Sequence, residues 1–142
     1  MTKEELNEVR RLKKQIAATQ SKLSALRECV ESTTTKYTRE KNYTALDVSP
    51  KGKNPDSKIE VLIALIVDTE SEINNLQARL IEAVSELTTK IQAEIKDSTE
   101  QTLIIYRYVA CKYFRDIGYL MGYSENWIYW KHNLILRNII CN

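Results

Sequence analysis

The sequence predicts an all-α protein: a long antiparallel coiled-coil helical hairpin over residues 1–97, followed by a C-terminal helix-turn-helix domain over 98–142. Three observations carry this. Glycine (3) and proline (2) are scarce in 142 residues, so the frequent turns of an antiparallel sheet are missing. Two stretches place apolar residues alternately three and four apart, which marks a heptad seam. Past residue 97 the pattern changes to short helical pieces crowded with aromatic side chains.

The first helix is predicted from Thr2 to Glu31. Thr2 and Glu5 have the form of a capping box. Val9, Leu12, Ile16, Thr19, Leu23, Leu26 and Val30 make the seam, broken only by Thr19. Residues 32–56, rich in Thr, Lys and Asn and holding both prolines, have no apolar period and read as a mobile basic linker. The second helix opens at Pro55-Asp56-Ser57. Its seam runs through Ile59, Leu62, Ile66, Thr69, Ile73, Leu76, Leu80, Ala83 and Leu87, with Ile91 and Ile95 continuing it. Such a stripe must be buried against a partner helix, and the first helix is the obvious one. Being shorter, it leaves part of the seam uncovered, which predicts a homo-oligomer, a dimer above all.

From Asp97-Ser98-Thr99, another capping signal, the elements are short. Leu103, Ile104, Tyr106, Tyr108 and Val109 belong to one helix of about ten residues, Ala110 to Tyr113 form a break, and Phe114 to Met121 a second helix. Gly122-Tyr123-Ser124 is a tight corner, with Gly122 free to take positive φ. Ser124 caps a last helix from Glu125 to about Ile140. Two helices joined through a glycine-bearing turn have the form of a helix-turn-helix, the second being the recognition helix. Phe114, Ile117, Leu120 and Met121 are predicted to face the core, as are Ile128, Ile135, Leu136 and Ile139, with His132 as a packing histidine. Gly118 provides room where the two helices meet.

Composition excludes several classes of function. The longest apolar run, "VLIALIV" at Val61–Val67, is far too short to span a membrane. The charged N-terminus is unlike a signal peptide, so the expected location is the cytoplasm. The three cysteines are scattered and His132 is the one histidine, which predicts neither a disulfide framework nor a zinc site. No cofactor, small-molecule substrate or membrane partner is indicated. No nucleophile-base pair, phosphate loop or paired carboxylates suggest an enzyme. The net charge of +2 is unevenly spread: residues 59–97 carry three basic and eight acidic side chains, and 98–142 carry five and three.

The run from Tyr106 to Ile139, with Arg107, Ile117-Gly118, Leu120, Gly122, Ser124, Ile128, Leu136 and Ile139, resembles the fourth region of bacterial sigma factors. The whole chain is similar to small phage and prophage proteins of the ArpU and RinA late-transcription-regulator type. The resemblance is carried by Glu31-Ser32-Thr33-Thr34, Ser57-Lys58-Ile59-Glu60, Gly122-Tyr123-Ser124, Trp127-Ile128-Tyr129 and His132. It implies a transcriptional regulator in a bacterial host cell, binding double-stranded promoter DNA and contacting host RNA polymerase. The DNA-binding residues would be Arg115, Ser124, Glu125, Asn126, Tyr129, Trp130, Lys131, Asn133 and Arg137. Asn126 suits adenine, and Glu125 suits cytosine or the helix dipole. Lys131, Arg137 and Arg115 suit phosphates. Sigma-like recognition helices usually carry arginine or glutamine where this chain has Glu125, Tyr129 and Trp130, and an apolar residue where it has Lys131. A small terminase subunit, or an interaction module without DNA binding, remains open as an alternative.

Overall fold

The structure is a computed structural model that describes residues 1–43 and 55–140. Among these the regular elements are all helical: α1 (Lys3–Tyr43), α2 (Pro55–Glu94), α3 (Ser98–Ile104), a π-helical turn (Ile105–Val109), α4 (Phe114–Met121) and α5 (Glu125–Ile140). None of the helices is long and apolar enough to cross a membrane. The chain divides into two compact units, Gln15–Gln77 and the pair of segments Met1–Lys14 with Ala78–Asn142.

Two features of the long helices differ from expectation. Helix α1 does not stop at Glu31 but continues to Tyr43. No proline or glycine occurs before Pro50, so nothing in the stretch removes a backbone donor or frees the chain from helical φ. Of the predicted linker, residues 44–54 lie outside the described residues. In addition, α1 has 41 residues and α2 has 40, so the length difference that suggested an uncovered seam is absent. Helix α2 begins at Pro55, where a missing N–H costs nothing because first-turn donors lack intrahelical partners anyway.

Among the described residues of the unit Gln15–Gln77, those buried are Ile16, Thr19, Leu23, Thr69, Ile73 and Leu76, all seam positions. Arg27 donates to Glu70 at 2.9 Å. Both seam threonines return their hydroxyls to their own helix: Thr19 donates to the Gln15 carbonyl at 2.8 Å and Thr69 to that of Leu65 at 2.7 Å. This satisfies a buried polar group locally.

In the other unit, Thr2 and Glu5 complete the capping box, with the Thr2 amide donating to Glu5 at 3.0 Å and the Glu5 amide to the Thr2 hydroxyl at 3.2 Å. Lys90 reaches Glu5 at 2.7 Å, which joins the first turn of α1 to the last turns of α2. The hydrogen bond to Lys90 holds the Glu5 carboxyl below its usual range. Leu6, Val9, Leu87, Ile91, Ile95, Leu103, Ile104, Ile117, Ile128, Ile135 and Ile139 form one core with Tyr108. The short C-terminal helices are thus anchored on the ends of the long ones. Asp97 caps α3 by accepting from the Glu100 amide at 3.0 Å.

Candidate nucleic-acid interface

The corner between α4 and α5 sets where α5 points, and it begins with two glycines. Gly122 closes α4 at φ 80°, a left-handed conformation that glycine adopts without penalty. The amides of Gly122 and Tyr123 both donate to the Gly118 carbonyl at 2.9 Å. Gly118 is fully buried, and a Cβ there would stand 2.7 Å from the Tyr123 carbonyl oxygen. The backbone of the corner therefore occupies the space that any other side chain at position 118 would need. Ser124 then caps α5, its hydroxyl accepting from the Trp127 amide at 3.1 Å. Tyr123 and Trp127 stack across the corner with centroids 3.9 Å apart and planes 14° from parallel.

Helix α5 is pinned from behind by Ile128, His132, Ile135 and Ile139, all buried, and Leu136 packs at the margin of the same core. Phe114, the one phenylalanine in the chain, links α4 to α5. Its ring meets His132 at 4.9 Å and Tyr129 at 5.5 Å, the latter edge-on at 88°. The Arg107 guanidinium lies 4.1 Å from its centre, a cation–π contact. The Tyr108 hydroxyl and His132 Nε2 are 2.7 Å apart. Burial pushes the Tyr108 phenol up and the His132 imidazole down, which favours the neutral form of both partners in this hydrogen bond. His132 is a packing histidine with one hydrogen bond, as its position on the inner face predicts.

Before α4 the chain is unusual. The π-helical turn ends with the Ala110 amide on the Ile105 carbonyl at 3.0 Å and the Lys112 amide on that of Tyr106 at 3.0 Å. Cys111 takes φ 58°, which is strained for a residue with a Cβ. Two cations of α1 stabilise this end. Lys13 donates to the Val109 carbonyl at 2.8 Å and Arg10 to that of Arg107 at 3.3 Å. They stand where helix carbonyls lack partners and favour positive charge. Neither residue carries a sequence signal for this role, because the contact joins positions more than ninety apart in the chain.

The nine predicted site residues do not all gather on one face. Glu125, Asn126, Tyr129, Trp130 and Arg137 are exposed along α5 and Asn133 is half-buried between them. Tyr129 and Trp130 are 56% and 57% exposed. Arg115 is exposed on α4, and Ser124 is occupied as the cap. Lys131 stands apart from that row. It is half-buried and its ammonium lies 3.1 Å from Glu100 of α3. At about 100° per residue, it projects from a different side of α5 than the outward row does. Leu120, predicted for the core, is 51% exposed, because α4 buries only Ile117 and Gly118. Beside it Tyr119, 89% exposed, was not singled out by the sequence reading. Among the described residues no group of three or more His, Cys, Asp or Glu is arranged to hold a metal. The outward row can offer amide, carboxylate and aromatic surfaces, with Arg137 as its cation. Comparison with known proteins finds no matching family model, no matching curated protein and no matching solved structure.

Proposed function

We propose that this chain is a phage or prophage transcriptional regulator that binds promoter DNA through a sigma-like helix-turn-helix formed by α4, the Gly122–Ser124 corner and α5. The observation that carries this reading is the corner. Gly118, Gly122 and Ser124 set α5 at a fixed angle, with Glu125, Asn126, Tyr129, Trp130, Asn133 and Arg137 outward of the core. A recognition helix needs that geometry, because its first turns must reach base edges while the preceding helix braces it. Arg115 and Arg137 are the cations placed to hold phosphates, and Lys131 is paired with Glu100 of α3. The long α1 and α2 act as an antiparallel coiled-coil hairpin that carries the DNA-binding domain. Host RNA polymerase as a partner follows from the resemblance to sigma-factor and late-regulator sequences.

A dimer is part of the proposal. Its support is Val61 and Leu65, four positions apart and so on one side of α2, which are 58% and 44% exposed. Neighbouring exposed apolar side chains are the kind of surface a protein contact covers. Selection of bound fragments from the source genome, followed by mapping, tests the function. Enrichment upstream of late genes is the expected result, whereas a peak at a packaging site would favour a small terminase subunit. The sparse positive charge of the outward row supports a second reading, a coiled-coil interaction module without DNA binding. Gel shifts at two salt concentrations separate the two, since phosphate contacts weaken as salt rises. Absence of any salt-sensitive shift would leave the interaction module standing.

A further inference from the structure

The outward row of α5 has a chemical bias. Guanine presents two acceptors, N7 and O6, in the major groove, and arginine or lysine is the side chain that meets both. In the first turns of α5 no such cation faces outward. Lys131 is half-buried and paired with Glu100 at 3.1 Å. Arg137 lies twelve positions after Glu125, about 18 Å along the axis, beyond the segment that enters a groove and within reach of the sugar-phosphate backbone. Glu125 has acceptors only and opens the helix, where its charge suits the helix dipole. What remains outward is Asn126, with an amide that donates and accepts, and two aromatic rings, while Asn133 is half-buried. An asparagine amide matches adenine, which shows an acceptor at N7 and a donor at N6, and apolar surface matches the thymine methyl. The Tyr129 ring is also held edge-on by Phe114, so little freedom is lost when it is covered.

The geometry points to a readout confined to A·T pairs, with Asn126 taking adenine, Tyr129 and Trp130 covering thymine methyls, and no guanine edge read. This rests on α5 being the DNA-reading helix. It is tested with the full chain on a pool of random-sequence duplexes, selected through repeated rounds. The enriched core is expected to be A·T pairs. Replacing its thymines by uracil, which removes only the methyl groups, lowers affinity severalfold. Replacing guanines of the selected duplex by 7-deazaguanine leaves affinity unchanged. Asn126→Ala lowers discrimination at one adenine by about five- to a hundredfold, with binding to unselected duplex retained. An invariant G·C pair in the core, a loss of binding with 7-deazaguanine, or indifference to uracil overturns the inference while leaving DNA binding intact. If no duplex is enriched and no salt-sensitive binding occurs, the DNA-binding reading itself fails, and this one with it.

Discussion

Gly118 and Gly122 stand at the same corner for different physical reasons, and substitution separates them. At Gly122 the surroundings are open and the φ of 80° is the constraint, so Gly122→Ala should destabilise by about 1 kcal/mol, the cost of a left-handed conformation with a Cβ. At Gly118 the constraint is space, with the Tyr123 carbonyl 2.7 Å from any Cβ. Gly118→Ala should destabilise by about 1–3 kcal/mol, the range for forcing atoms into a packed site, and should shift the Trp127 fluorescence because the Tyr123–Trp127 stack must move. Denaturant titration followed by tryptophan emission measures both. His132 gives a pH prediction. Burial lowers its folded pKa below an unfolded value of about 6.5, so the unfolded state binds more protons as pH falls through that window. Stability is fully present above about pH 6.5 and declines on acidification below it. The part of that decline belonging to the imidazole should vanish in His132→Phe, compared by thermal unfolding at neutral and mildly acidic pH.

At the scale of elements, α5 depends on its cap and the π-helical turn depends on α1. Ser124→Ala removes the acceptor for the Trp127 amide and should destabilise by about 1 kcal/mol. Lys13→Ala leaves the Val109 carbonyl without its 2.8 Å partner, a loss of about 1–2 kcal/mol for a charge-assisted bond in a part-buried setting. The informative readout is local. Amide hydrogen exchange should quicken through Ile105–Val109 while the far part of α2 stays unchanged. Uniform quickening would mean that Lys13 acts on global stability rather than on this turn. The seam threonines make the opposite case. Thr69 is buried at 3% exposure with its hydroxyl returned to its own helix, a bond that substitutes for water without adding a packing partner.

For the whole molecule, the two compact units differ in the size of their cores. Among its described residues the unit Gln15–Gln77 buries six, two of them threonine, whereas the other carries the continuous apolar cluster. Hydrogen exchange should therefore be faster within Gln15–Gln77 than in the unit containing α3, α4 and α5. If the proposed dimer forms through α2, Leu65→Glu should convert it to a monomer by sedimentation velocity while leaving helicity intact. A dimer that survives this change would place the contact elsewhere. With Arg115 and Arg137 as the phosphate contacts, the logarithm of affinity should fall with the logarithm of salt at a slope of about −2. A slope near zero would argue against phosphate binding by Arg115 and Arg137.

Helix type, caps and the corner were legible in the sequence because each is a local property. The seam periods, Thr2 with Glu5, Asp97, Ser124 and the left-handed glycine act within about four residues, and α4 and α5 have the boundaries those signals indicate. The extension of α1 to Tyr43 was not visible in apolar spacing, since a polar helix carries no period. The rest belongs to tertiary structure. Whether Lys131 faces a groove or a carboxylate depends on Glu100 arriving from another helix. Whether Leu120 is core depends on how little of α4 the neighbouring helices cover. Arg10 and Lys13 become caps only when the chain folds back on residues 107–109. Backbone signals are short-ranged and can be read in order along the chain. The use made of a charged or apolar side chain is decided by which distant element it meets.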